Sequence, residues 1–174
     1  VHYGRSYSNA FWSDSCFCMT FGDGDGRSLY PLVDIAVAGH EMSHGVTSRS
    51  ANLTYSGESG GLNESNSDFF GTMVEFYANN ASDTPDYLIG EELYKSGTNA
   101  LRSMPHPSLD GASADCWYGN VGSLNVHYSS GVANHFYYLL AEGTDGVTSP
   151  TCVAGDTREA HGTGTLSGIG RSAA

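Results

Sequence analysis

The chain has 174 residues, 39% of them hydrophobic and 15% charged, a globular composition that excludes a disordered chain. Seven Lys and Arg against 19 Asp and Glu leave a formal net charge of −12, so a nucleic-acid backbone or an anionic membrane would repel this surface. No apolar run approaches the ~20 residues of a membrane span. By length alone one domain is expected. The first residues, Val1-His2-Tyr3-Gly4, lack the charged start and apolar stretch of a signal peptide, as in a mature chain or a piece of one.

In chain order, Tyr7 to Trp12 and Cys16 to Phe21 are aromatic-rich, strand-like runs, and Gly22-Asp23-Gly24-Asp25-Gly26 is a turn. That turn lacks the rest of an EF-hand loop. After Pro31, Ile35, Val37, Ala38, Met42 and Val46 predict a largely buried helix from about Asp34 to Ser48. A Gly/Ser/Asn-rich loop is expected over 50–61. A second helix from Leu62 to Asn79 has Phe69, Met73, Phe76 and Tyr77 as its apolar stripe. Residues 80–128 read as loops and short elements. A third helix starts after Ser129 or Ser130 as N-cap and ends before Gly143, with Val132, Phe136, Leu139 and Leu140 facing inward. Beyond Gly143 no firm element is expected.

Cys16, Cys18, Cys116 and Cys152 are an even set. With a single lysine and an acidic surface, they suit an extracellular protein with disulfides. Four cysteines allow three connectivities, and the sequence alone does not choose among them. The pairing we expect is Cys116 with Cys152 and Cys16 with Cys18.

His40-Glu41-Met42-Ser43-His44 places two histidines four residues apart on the first predicted helix. That is just over one turn, so both imidazoles leave one face and can share one ion, with Glu41 beside them. A catalytic zinc needs one more protein ligand and a place for water. Glu64, on the second helix, is the candidate. Asp68 lies one turn further on and can accept the spare N–H of a ligand imidazole. Asn63 can act similarly.

These residues carry a resemblance. His40-Glu41-x-x-His44 with Asn63-Glu64-x-x-Ser67-Asp68 resembles the thermolysin-like, M4-type zinc metalloendopeptidases. Tyr7-Ser8-Asn9-Ala10-Phe11-Trp12, Leu101-Arg102-Ser103-Met104, Asn125-Val126-His127-Tyr128-Ser129-Ser130-Gly131 and Gly168-Ile169-Gly170-Arg171 resemble further segments of that family. The resemblance implies an α+β, thermolysin-like gluzincin fold. Residues 1–33 would be the end of a β-rich lobe with a substrate edge strand. Residues 34–174 would be the active-site helix and part of an α-helical lobe, the chain being truncated at both ends relative to the family.

The same resemblance implies a secreted endopeptidase that cleaves before bulky hydrophobic residues. Catalytic Zn2+ would be held by His40, His44 and Glu64, with Glu41 as base and His127 and Tyr55 as oxyanion donors. Arg102, Asn9 and the Ala10 backbone would hold the peptide, and Val37, Ile89, Leu93 and Leu101 would wall the pocket after the scissile bond. Glu75, Asp86, Glu91 and the Leu88 carbonyl would hold structural Ca2+. The partners implied are a peptide or protein substrate and an inhibitory propeptide, with no nucleic acid and no membrane, and the chain is expected to be a monomer. Two positions depart from the pattern. Ala36 stands where relatives often have Asp, with Asp34 two residues away. Asn125 stands where relatives often have Asp near the catalytic His. A rival reading is a zinc-binding, non-catalytic fragment that retains peptide or inhibitor binding. His2, His106, His135 and His161 gain no role.

Overall fold

A computed structural model of the chain describes residues 1–144 and 149–174. They form two compact units, one of residues 1–53 with 66–101 and one of residues 54–65 with 102–174.

The first unit opens with an antiparallel hairpin of β1 (Ala10–Ser13) and β2 (Cys18–Phe21), with Ala10 opposite Phe21 and Ser13 opposite Cys18. Both strands are shorter than expected. The chain before Ala10 bonds to the glycine-rich turn instead: Gly22 N donates to Asn9 O at 3.0 Å and Gly24 N to Tyr7 O at 3.1 Å. Helix α1 (Ile35–Arg49) falls within a residue of the expected span. Asp34 caps it, its Oδ1 accepting from Val37 N at 2.9 Å. The strand Leu88–Ile89 (β3) and a 3-10 turn over Glu91–Leu93 follow later in this unit. Ala10, Phe21, Leu32, Val37 and Leu93 make its apolar core.

The inward face of α1 is apolar only at its start, at Ala36 and Val37. Met42 and Val46 are 47% and 53% exposed, whereas His40, Glu41, Ser43, Gly45 and Thr47 are buried. Small residues allow this. Added Cβ atoms would stand 2.9 Å from the Gly71 Cα at Gly39, and 2.4 Å from the Ala36 carbonyl at Gly71, so two backbones approach closely here. The buried polar groups bond to one another: Ser43 Oγ donates to Gly39 O at 2.8 Å and Asn66 Nδ2 to Thr47 Oγ1 at 2.9 Å.

Helix α2 (Gly57–Ala78) begins five residues before the expected Leu62. Its early glycines read as a loop but serve close packing. A Cβ on Gly60 would meet Val126 at 2.4 Å and one on Gly61 would meet Ser129 at 2.6 Å. The predicted stripe on α2 also fails in part. Tyr77 is 93% exposed, and the deeply buried positions are Glu64, Ser65, Ser67, Asp68, Thr72 and Glu75.

The second unit contains β4 (Arg102–Ser103), 3-10 turns over Pro107–Asp110 and Val121–Ser123, a short helix α3 (Val126–Ser129) and helix α4 (Gly131–Glu142). Helix α4 ends at Gly143, as expected, with φ 82°. Its buried face holds Asn134, His135, Tyr137 and Ala141, while Phe136, expected inside, is exposed. His135 has a structural place: its Nδ1 lies 3.1 Å from Asp115 O, and burial lowers its pKa. The disulfides are Cys16–Cys18 and Cys116–Cys152, the expected pairing. Among the described residues, no helix is long and apolar enough to cross a membrane.

Candidate active site

Helix α1 presents His40 and His44 one turn apart, and their Nε2 atoms stand 3.0 Å from each other. Each ring is held from behind. His40 Nδ1–H donates to Asp68 Oδ1 at 2.7 Å, and Asp68 is fully buried. His44 Nδ1 lies 3.2 Å from Ser67 Oγ. These bonds engage both Nδ1 atoms, and the two Nε2 atoms converge, the arrangement in which imidazoles share an ion. Asp68 was expected in this place. Ser67 was quoted in the motif without a role, because hydroxyls on a helix usually bond locally.

Glu64 precedes Asp68 by one turn of α2 and is fully buried. His40 and His44 each offer an imidazole nitrogen and Glu64 a carboxylate oxygen, all of them groups that can ligate a metal ion. The donor set suits zinc, which takes two imidazole nitrogens and one carboxylate in catalytic centres. Glu41, next to His40, is 6% exposed. Asn63 is 8% exposed, directly before Glu64.

In the second unit, Tyr55 and His127 meet at Glu64. The Tyr55 hydroxyl donates to Glu64 Oε1, and His127 Nε2 lies 3.6 Å from Glu64 Oε2 and 3.4 Å from the Tyr55 hydroxyl. Asn125 orients His127 in two ways. It caps α3 by accepting from His127 N at 3.0 Å, and its Oδ1 also accepts from His127 Nδ1–H at 2.8 Å. An amide thus turns the Nε2 of His127 toward the site without adding charge.

A second cluster is built of carboxylates alone. Glu75, Asp83 and Glu91 bring ligand oxygens within 4.8 Å of one another. Buried Oε2 atoms of Glu75 and Glu91 and Oδ2 of Asp34 have no hydrogen-bond partner. Burial first, and then the charge of Glu91, push Glu75 up to about 8, and burial followed by Asp86 pushes Glu91 up to about 7. Asp86 Oδ1 accepts from Leu88 N at 2.6 Å, and its own N donates to Glu75 Oε1 at 3.2 Å. Asp83 was missed, because nothing in the spacing of Asp83 and Asp86 tells which one turns inward.

Comparison with known proteins agrees with this geometry. Residues 51–174 match the model of the thermolysin metallopeptidase α-helical domain, and residues 1–48 match that of the thermolysin metallopeptidase catalytic domain. The chain belongs to the thermolysin metallopeptidase family. A transglutaminase-activating metalloprotease of Streptomyces mobaraensis is 62% identical over 145 residues, 83% of this chain and 19% of that protein. A thermolysin of Alicyclobacillus acidocaldarius is 45% identical over 168 residues, 93% of this chain and 30% of its own length. The solved precursor of protealysin from Serratia proteamaculans aligns with a TM-score of 0.63 at 38% identity, over 80% of this chain and 48% of that one. The chain thus spans 19% and 30% of the lengths of the two curated relatives named here.

The other residues that the thermolysin-family resemblance singles out have these places. Ala10 is buried at the start of β1, and Asn9 is exposed just before it. Val37 and Leu93 belong to the apolar core, Leu101 packs against it, and Ile89 is fully buried. Arg102 is half-buried on β4.

Proposed function

We propose that this chain carries the catalytic centre of a secreted zinc endopeptidase that cleaves before bulky hydrophobic residues. The observation that carries the reading is the convergence of the His40 and His44 Nε2 atoms, 3.0 Å apart with both Nδ1 atoms already engaged. Glu64 is the third ligand, and Asn63 supports it from the adjoining position. Zinc, when bound, lowers the pKa of a coordinated water to about 7. Glu41 takes the proton from the attacking water and passes it to the leaving amine. Tyr55 and the imidazolium form of His127 donate to the oxyanion, and Asn125 keeps His127 aimed. Asn9 and the Ala10 backbone pair with the extended peptide as an added strand. Arg102 holds a substrate carbonyl beyond the cleaved bond. Val37, Ile89, Leu93 and Leu101 supply the apolar wall behind the scissile bond.

We read residues 1–33 as the end of a β-rich lobe and 34–174 as the active-site helix with part of a helical lobe. The chain acts as a monomer, and an inhibitory propeptide is its second partner after the substrate. The experiment is turnover of an internally quenched peptide with a Leu or Phe after the scissile bond. Cleavage lost to a chelator and restored by zinc is expected. Stoichiometric zinc with no turnover would overturn the reading in favour of a binding fragment.

Glu75, Asp83, Asp86, Glu91 and the Leu88 carbonyl hold structural calcium. Oxygen donors with several negative charges suit this hard cation. The pH dependence of the cation-free protein follows from the raised carboxyls. Folded Glu75 and Glu91 bind protons that the unfolded chain releases at about 4.5. Their protonated forms therefore favour folding at low pH, and this stability is lost as pH rises through about 7 and about 8. Chelator-treated protein should melt at a lower temperature at pH 8 than at pH 6. Calcium at a hundred times its Kd should add about 2.7 kcal/mol at pH 8. Melting that ignores calcium at pH 8 would refute the site.

A further inference from the structure

The Cys16–Cys18 disulfide closes a loop of only two residues' separation, too short to remove much freedom from the unfolded chain. Its effect must be local, and the surroundings show what it holds. The residue between the cysteines, Phe17, has φ +51°, a conformation a bulky side chain seldom adopts. Phe17 is 63% exposed, yet its ring is engaged by two side chains. It packs edge-to-face on Trp12 with centroids 5.0 Å apart, and the Arg49 guanidinium lies 5.6 Å from its centre.

Trp12 is in turn pressed onto α1. A Cβ on Gly45 would stand 2.5 Å from Trp12 Cζ2, so this helix position accepts only glycine while the indole is in place. Gly45 directly follows His44. Asp14 ties the same corner together: its Oδ1 accepts from Trp12 Nε1 at 3.0 Å and from Ser48 Oγ at 2.7 Å, with Arg49 at 3.6 Å. The hairpin tip is thereby fastened to the last turns of the helix that carries both histidines.

We propose that the Cys16–Cys18 cross-link is a positioning device. It fixes Phe17 so that its ring clamps Trp12 onto Gly45, and so sets β1 against the helix of His40 and His44. This rests on the reading of β1 as the strand that docks the peptide. Trp12 lies two residues after Ala10 on that strand, so loosening the clamp tilts the docking edge while leaving the metal ligands in place. The covalent loop prepays the ordering of Phe17, which an uncrosslinked hairpin tip would have to meet at each binding event.

The test uses acrylamide quenching of Trp12 in a Trp117→Phe background, together with peptide kinetics. Cys16→Ser/Cys18→Ser and Phe17→Ala should each raise the quenching constant of Trp12 by about two-fold, and raise KM by about five-fold with kcat nearly unchanged. Zinc content should stay at the parent level. Unchanged quenching in both variants would overturn the clamp, whether or not the protein cleaves peptides. Raised quenching with an unchanged KM would overturn the link to peptide docking. Should the parent not cleave peptides at all, the proposed function fails, and the quenching result still decides the clamp.

Discussion

Glu41→Gln should lower kcat/KM for peptide cleavage by about two to four orders of magnitude, the range that a positioned proton-transfer group contributes. The amide has nearly the shape of the carboxylate, and position 41 is 6% exposed on a helix packed by small residues. The fold and the neighbouring ligands should therefore persist. His40 keeps its bond to Asp68, and His44 its contact with Ser67, since the substitution changes none of these four side chains. Zinc content and peptide KM should match the parent. Kinetics combined with metal analysis separate the outcomes. Activity within ten-fold of the parent would remove Glu41 from the role of base, and loss of zinc would mean the substitution had damaged the ligands instead.

The second large effect concerns stability. Removing Cys116–Cys152, as Cys116→Ala/Cys152→Ala, should cost about 4 kcal/mol, the chain-entropy value for a loop with a sequence separation of 36. That is a large part of the ~5–15 kcal/mol by which a domain is usually stable. The local structure adds to the argument. Asp115, next to the bridge, is buried and gathers Ser108 N at 2.7 Å, Ser108 Oγ at 2.8 Å and Ala160 N at 3.0 Å, while its own N donates to Arg158 O at 2.7 Å. The disulfide keeps these segments together, so its loss releases a network rather than one bond. By the same entropy argument, Cys16→Ser/Cys18→Ser should cost less than half as much, about 1.5 kcal/mol. Denaturant titrations of the two double variants give the comparison. Equal losses would show that loop length does not govern the effect here.

Much of the candidate site was legible because its chemistry is local. Four residues of helix between His40 and His44 fix their common face whatever packs around them, and one turn of helix places Asp68 after Glu64. Helix positions were also readable, since Asp34 and Gly143 are terminus signals with a short-range cause. Burial was the part that periodicity misjudged. Met42, Val46, Tyr77 and Phe136 were expected inside and are exposed. Helix α1 buries the face that carries the candidate ligand His40. His40 and Thr47 there find their partners in Asp68 and Asn66, distant in sequence, which no window of residues records.

The sequence by itself determined the candidate ligand types, their spacing on two helices and the resemblance to the family, and left three cysteine pairings open. The tertiary structure decided the rest. It chose Ser67 as the support of His44, brought Asp83 to Glu75 and Glu91, turned the polar sides of α1 and α2 inward, and laid Trp12 on Gly45. The reason is the same in each case. Intervals along one helix are set by backbone geometry, whereas contacts between elements depend on which small residues let two backbones close, and only the packed chain reveals that.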